Sequence, residues 1–187
     1  RVAADQFDVP VINCGDDSNG HPTQTLTDLT TIQKEKGHLD GLTIAMVGDL
    51  KYGRTVHSLL QGLEHFDVNI ILVSPTFLGM PSWRIDDYKR NTGKDVVISE
   101  DLIQAIKSAD VLYDTRIQKE RFPDTPEGQY EYDTASGLYR ITADLLSQHA
   151  RESLIVMHPL PRYRFKPEIT TDVEKTTPFA RYFKQAE

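Results

Sequence analysis

From residue 42 onward the chain alternates between two kinds of apolar pattern. Short runs rich in β-branched residues, LTIAMVG (42–48), NIILVS (69–74), DVVIS (95–99), DVLYDT (110–115) and SLIVMHP (153–159), are too short for helices and read as five buried strands. Between them, apolar residues recur at helical spacing over 54–66 (Val56, Leu59, Leu63, Phe66), over 82–91 after Pro81, over 100–109 (Leu102, Ile103, Ile106) and over 141–150 (Ile141, Leu145, Leu146). Strands alternating with helices predict right-handed crossovers and an α/β fold, a doubly wound parallel sheet of about five strands. Ahead of this unit, Leu26, Leu29 and Ile32 with Pro22 at the start and Gly37 at the stop predict an amphipathic helix over 22–36. VPVIN at 9–13 reads as a strand without partners, and the opening at Arg1 leads to the expectation of a longer parent chain. The segment 119–138 and the tail beyond Pro161 break the rhythm, as functional or mobile loops do.

Composition narrows the picture. A chain of 187 residues with 39% apolar content can bury one sizeable core. A net charge of −7 and an isoelectric point near 5.4 offer no basic face for nucleic acid. No apolar run approaches a membrane span, and the single Cys14 has no partner for an internal disulfide, so a cytoplasmic protein is expected. Cys14 itself reads as a small buried or semi-buried residue.

Ligands of open parallel sheets gather at the carboxyl ends of the strands, and three of those ends carry unusual polar chemistry. GDLKYGRT after the first strand turns on Gly48 and Gly53 and sets Arg54 at a helix start, an anion-binding arrangement whose spacing does not fit the dinucleotide fingerprint. TRIQ after the fourth strand adds Arg116 and Gln118; two forked guanidinium groups and an amide suit a small dicarboxylate. HPLP after the fifth strand leaves a constrained turn in which Pro161 is a candidate cis peptide, with His158 and Arg162 read as structural or solvated. In HPTQ, His21 takes the cap position, where Ser, Thr, Asp or Asn is usual. The helix dipole disfavours an imidazolium there, leaving a neutral ring able to donate one hydrogen bond to a carbonyl oxygen, with Gln24 one turn on. A surface His and Gln at an ordinary helix start is the plainer reading of that tetrapeptide taken alone.

HPTQTLTDL, GDLKYGRTVHSL, TRIQKER and HPLPR, in this order and spacing, closely resemble the catalytic chains of the aspartate carbamoyltransferase family. The loop 122–140 and the segment 163–169 match that family poorly. Ornithine carbamoyltransferases typically carry HCLP and SMG motifs, which this sequence lacks. The resemblance implies a Rossmann-like aspartate-binding domain over 38–187, a linker helix over 22–37, and in 1–21 a remnant of a carbamoyl phosphate domain. It implies that His21 and Gln24 contact the carbamoyl group of carbamoyl phosphate, His21 in the catalytic role, and that the Leu160 and Pro161 carbonyls receive the carbamoyl amide and the incoming amine. Arg54 and Arg116, assisted by Gln118, would hold the carboxylates of L-aspartate. No metal or organic cofactor is expected. A homotrimer of full-length chains with shared active sites is implied, with a regulatory chain as a further candidate partner. The family's STRTR phosphate motif does not occur in these residues, so this chain by itself is expected to be inactive. The alternatives are a transcarbamoylase for another amino acid and a non-catalytic assembly or regulatory domain.

Overall fold

The five strands form, and every pairing among them is parallel: β1 (Thr43–Val47), β2 (Asn69–Val73), β3 (Val97–Ser99), β4 (Val111–Asp114) and β5 (Ile155–Met157), in the order β3-β2-β1-β4-β5. The computed structural model describes residues 5, 6, 8–16, 20–163 and 167–186. Around the sheet lie α1 (Pro22–Lys36), α2 (Arg54–Leu63), α3 (Ser82–Thr92), α4 (Leu102–Ser108), α5 (Pro126–Ala135), α6 (Ala143–His149) and α7 (Thr171–Thr176).

Alternation along each strand divides the core between two faces. Ile44 and Met46 of β1, with Ile70 and Leu72 of β2, pack with Ile32 of α1, Leu59 and Leu63 of α2 and Tyr88 of α3. Ala45 and Val47, with Leu112 of β4 and Val156 of β5, pack with Ile106 of α4, Leu146 of α6 and Val173 of α7. Cover on both faces is why the central strands read as continuous apolar runs. β3 departs from the expectation of a buried strand. It pairs only with β2, and its Val97 and Ile98 are 58% and 68% exposed.

Helix ends follow local chemistry more than apolar periodicity. Asp101 caps α4 by accepting the Gln104 N–H at 2.9 Å, and Thr142 caps α6 by accepting the Leu145 N–H at 3.1 Å, so both helices are shorter than their patterns. α2 stops at Leu63, before Phe66. α5 falls within the segment expected to be irregular; it opens on Thr125, whose hydroxyl accepts the Gly128 N–H at 3.1 Å, and on Pro126. Phe122, Leu78 and Ala135 form a small apolar cluster that seats this helix beyond the end of β4. α7 likewise lies in the tail beyond Pro161.

α1 has the predicted bounds but a different inner face. Its buried positions are Thr25, Asp28, Thr31 and Ile32, whereas Leu26 is 65% exposed. A Cβ on Gly62 of α2 would lie 2.4 Å from the Thr25 methyl group, so the two helices approach closely at that pair. Residues 9–13 form no strand, pairing with none of the described strands, and Ile12 is exposed. Cys14 is exposed, against the expectation of burial. Residues 1–4, 7 and 17–19 of the first expected segment, and 164–166 of the poorly matching stretch 163–169, lie outside the described residues. No helix among the described residues is long and apolar enough to cross a membrane.

Where β1 ends, Gly48 adopts φ +104°, and a Cβ there would lie 2.5 Å from the Thr115 carbonyl oxygen at the end of β4. The backbone conformation and the contact both demand glycine. Gly48→Ala is therefore expected to cost about 2 kcal/mol or more of stability, read as a lowered thermal midpoint. An unchanged midpoint would show that the two strand ends can separate freely.

Candidate functional site

The sheet order reverses between β1 and β4, and the crevice beyond their carboxyl ends is the ligand position that such sheets share. There the chain leaving β1, the chain leaving β4, the turn after β5 and the start of α1 enclose a cleft of about 200 Å³. His21, Gln24, Arg54, Arg116, Gln118, Leu160 and Pro161 all line it. These are the residues singled out from the sequence, drawn together from positions as far apart as His21 and Pro161. Thr55, Thr115, His158 and Pro159 also line the cleft and were not foreseen as doing so.

At the start of α1, Nδ1 of His21 accepts the Gln24 N–H at 3.3 Å and lies 3.3 Å from the Thr23 hydroxyl. The ring thus caps its own helix in the manner of an aspartate. An Nδ1 that accepts carries no proton, so the neutral ring bears its hydrogen on Nε2. The His21 N–H donates to the Ser58 hydroxyl of α2 at 2.9 Å, fixing the entry to α1. Burial lowers the imidazole pKa below its ordinary 6.5, and the nearby Arg54 charge lowers it further. Both effects favour the neutral ring, where the sequence reading had invoked the helix dipole.

Arg54 is the first residue of α2, after Gly53, whose own Cβ would lie 2.4 Å from the Asp49 carbonyl oxygen. The turn before it is held by Asp49, which accepts the Tyr52 N–H at 2.8 Å and donates its own N–H to the Thr115 hydroxyl at 3.1 Å. That cross-link joins the β1 end to the β4 end just before Arg116. The Arg116 guanidinium pairs with Glu120, four residues on, at 2.5 Å.

The turn after β5 is fixed from beneath. Its Leu160–Pro161 bond is cis, and Leu160 takes φ +45°. Nδ1 of His158 accepts the Leu160 N–H at 2.9 Å, and the His158 N–H donates to Oε1 of Gln185 at 3.0 Å. Arg162 donates to the Ile169 carbonyl and pairs with Glu174 at 2.9 and 2.8 Å. Both residues hold structure, as the sequence suggested, although His158 also borders the cleft.

A second cavity of about 270 Å³ lies on the other side of Thr115, lined among others by Asp114, Tyr132, Arg140 and Glu168. The larger volume does not make it the better site: the two-arginine chemistry is in the smaller cleft. Oδ2 of Asp114 is buried without a partner, and burial holds that carboxyl well above the usual range, which disfavours a fixed negative charge there.

Burial likewise pushes His57 down to about 4 and His158 down to about 3, the latter aided by the charges of Arg162 and Arg116. A folded pKa below the unfolded 6.5 means that the unfolded chain takes up more protons as the medium acidifies. The stability these two rings supply is full above about pH 6.5 and is lost progressively as the pH falls towards their folded values. An NMR titration should find both rings neutral at pH 5, with Nε2 protonated; a ring found charged there would overturn the assignment.

Residues 40–187 match the family model for the Asp/Orn binding domain of aspartate/ornithine carbamoyltransferases. An aspartate carbamoyltransferase catalytic subunit of Archaeoglobus fulgidus is 52% identical over 189 residues, and one of Methanopyrus kandleri is 50% identical over 185. The matches take in 99–100% of this chain and 57–58% of those proteins, so the chain spans little more than half the length of the curated relatives it matches. Among solved structures, the catalytic subunit of M. jannaschii aspartate transcarbamoylase superposes with a TM-score of 0.85 at 47% identity, covering 99% of this chain and 57% of that one. A Trypanosoma cruzi aspartate transcarbamoylase in complex with carbamoyl phosphate and aspartate gives 0.85 at 36% identity, over 98% and 56%. On the sheet, the cleft and these likenesses together, the chain belongs to the aspartate/ornithine carbamoyltransferase family.

Proposed function

We propose that this chain supplies the linker helix and the aspartate-binding part of an aspartate carbamoyltransferase. Such an enzyme transfers the carbamoyl group of carbamoyl phosphate to L-aspartate, giving N-carbamoyl-L-aspartate and phosphate for pyrimidine synthesis. The observation that carries the reading is the convergence on one cleft of HPTQ, Arg54, Arg116 with Gln118, and Leu160–Pro161. The remaining length of the relatives would hold the phosphate site, and a homotrimer with shared sites, in the cytoplasm, completes the proposal.

In this reading Arg54 and Arg116 each take a carboxylate of aspartate and Gln118 supports one of them. A single amino-acid carboxylate would need one guanidinium; two on facing strand ends favour a dicarboxylate over ornithine. Nε2–H of His21 donates to the carbonyl oxygen of the carbamoyl group, and Gln24 and the carbonyls of Leu160 and Pro161 receive its amino group and the attacking amine. The amine forms the C–N bond at the carbamoyl carbon, charge builds on the oxygen, and the C–O bond to phosphate breaks as the amine proton passes to the departing phosphate. A donor already aimed at that oxygen is worth more in the transition state than in the ground state. Holding both substrates in one cleft supplies much of the remaining rate.

In the complete enzyme, Arg54→Ala and Arg116→Ala are expected to lower kcat/KM for aspartate on the order of a hundredfold. Wild-type kcat/KM in either variant would remove that arginine from the substrate site. His21→Ala should lower kcat strongly with little effect on aspartate binding, and His21→Asn, which keeps a donor, should recover part of the rate. If His21 merely starts a helix, Asn, a better cap, would leave kcat untouched and Ala would cost only about 1 kcal/mol of stability. Steady-state kinetics and thermal midpoints of the two variants separate these outcomes.

A further inference from the structure

The inner face of α1 carries a carboxylate that the proposed reaction does not use. Asp28 is completely buried, and its two oxygens collect three side-chain donors: Nε2 of Gln24, one turn back on α1, at 2.9 Å; the Tyr113 hydroxyl of β4 at 2.9 Å; and Nε2 of Gln185 at 2.5 Å. Gln185 spends its other amide atom, Oε1, on the His158 N–H at the head of the 158–161 turn. One carboxylate therefore touches the amide of HPTQ directly and reaches the turn of HPLP through a single side chain.

The direction of both amides follows from elementary hydrogen-bond chemistry. An ionised carboxylate only accepts, and a backbone N–H only donates. Gln185, caught between the two, can face only one way. Gln24 must turn its NH2 group inward to Asp28, which leaves its carbonyl oxygen as the atom free to face the cleft. That is the acceptor a carbamoyl amino group needs. We propose that Asp28 is the positioning residue of the carbamoyl subsite: it fixes which end of the Gln24 amide meets the substrate and, through Gln185, holds the turn that carries Leu160 and Pro161. The proposal rests on the assignment of Gln24 to the carbamoyl group made above.

Burial raises the Asp28 pKa to about 7 against the pull of its three hydrogen bonds, so the ionised form is held at a cost to the fold. With a folded pKa above the unfolded one, the stability it contributes is full at low pH and is lost as the pH rises towards 7. Orientation of Gln24 needs only Oδ1 as an acceptor, which a carboxyl protonated on Oδ2 towards Tyr113 still offers. The groups packed around Asp28 that contribute to its pKa are Gln24, Tyr113 and Gln185, of which Tyr113 alone titrates and is held neutral by burial.

The test is a double-mutant cycle in the complete enzyme. Gln24 and Gln185 both donate to Oδ1 of Asp28, and Tyr113 donates to Oδ2. Asp28→Leu removes the acceptor and frees the Gln24 amide to turn. It is expected to lower kcat/KM for carbamoyl phosphate about tenfold or more and to change KM for aspartate less than about twofold. Asp28→Asn can keep a carbonyl oxygen towards both glutamines and turn its NH2 group to the Tyr113 hydroxyl oxygen, so it should recover most of that loss. In a Gln24→Ala background Asp28→Leu should cost clearly less than in the parent, because only the route through Gln185 is left. Equal losses from Asp28→Leu in both backgrounds, or no loss beside a crippled Gln24→Ala enzyme, overturn the role of Asp28 alone. A Gln24→Ala enzyme with normal carbamoyl phosphate kinetics overturns the subsite assignment and the role with it. Should Asp28→Leu fail to fold, Asp28→Asn decides, and one that folds but loses about tenfold overturns the proposal.

Discussion

The spacing between the carboxyl ends of β1 and β4 is the constraint on which the site depends. These neighbours meet where the strand order reverses, so the helix that follows β1 packs on one face of the sheet and the helix that precedes β4 on the other. A crevice opens between them with no helix across it. Its width is set by a backbone contact, the bare Cα of Gly48 against the Thr115 carbonyl, reinforced by the Thr115 hydroxyl receiving the Asp49 N–H. Arg54 and Arg116 lie a few residues beyond that contact on either side. The distance between the two cations is therefore inherited from sheet pairing, a far stiffer element than a loop could be.

Around the crevice the holding contacts differ in strength according to what each must do. Arg162 and Glu174 pair with side chains only 14% and 21% exposed and with further bonds to a backbone carbonyl and to Tyr182, as suits a turn that must not move. The Arg116–Glu120 pair is more open, with Glu120 58% exposed, and pairs of that kind are worth about 0–1 kcal/mol. A ligand carboxylate can displace Glu120 at little cost while the guanidinium stays pointed at the cleft. Strong contacts thus fix backbone, and a weak one parks a side chain that, on the proposed reading, changes partners when aspartate binds.

Much of this was legible in the sequence. Five β-branched runs gave the strands, because parallel strands covered on both faces have no polar alternation to blur them. Polar motifs at three strand ends gave the site, because in a doubly wound sheet the strand end is a place in space as well as in sequence. The errors have equally physical causes. β3 looks like its neighbours, yet pairs on one side, which a local run of apolar residues does not reveal. α5 was hidden by the polar character of PEGQYEYDTA, although Thr125–Pro126 is a helix-start signal that could have found it. On α1, Leu26 was placed inward and Asp28 went unremarked, since apolar spacing takes buried faces to be greasy. That face is polar where Asp28 receives the side chains of Gln24, Tyr113 and Gln185. An aspartate four residues after a glutamine, on a face otherwise made of threonine and isoleucine, is the trace that such a network leaves.

Charge placement ties these parts together. On the proposed reading the cleft must hold a dicarboxylate and also stabilise an oxygen that gains negative charge, two tasks that invite a third cation. Instead the group nearest the carbamoyl oxygen is a histidine kept neutral. Nδ1 is spent capping α1, burial penalises the imidazolium, and the guanidinium of Arg54 penalises it again. The same positive charge that would attract an aspartate carboxylate therefore keeps His21 a hydrogen-bond donor and not an acid. A neutral donor avoids trading a proton with the attacking amine, which must be unprotonated to react, while its ring is held at the start of α1 by the bonds to Gln24 and Ser58.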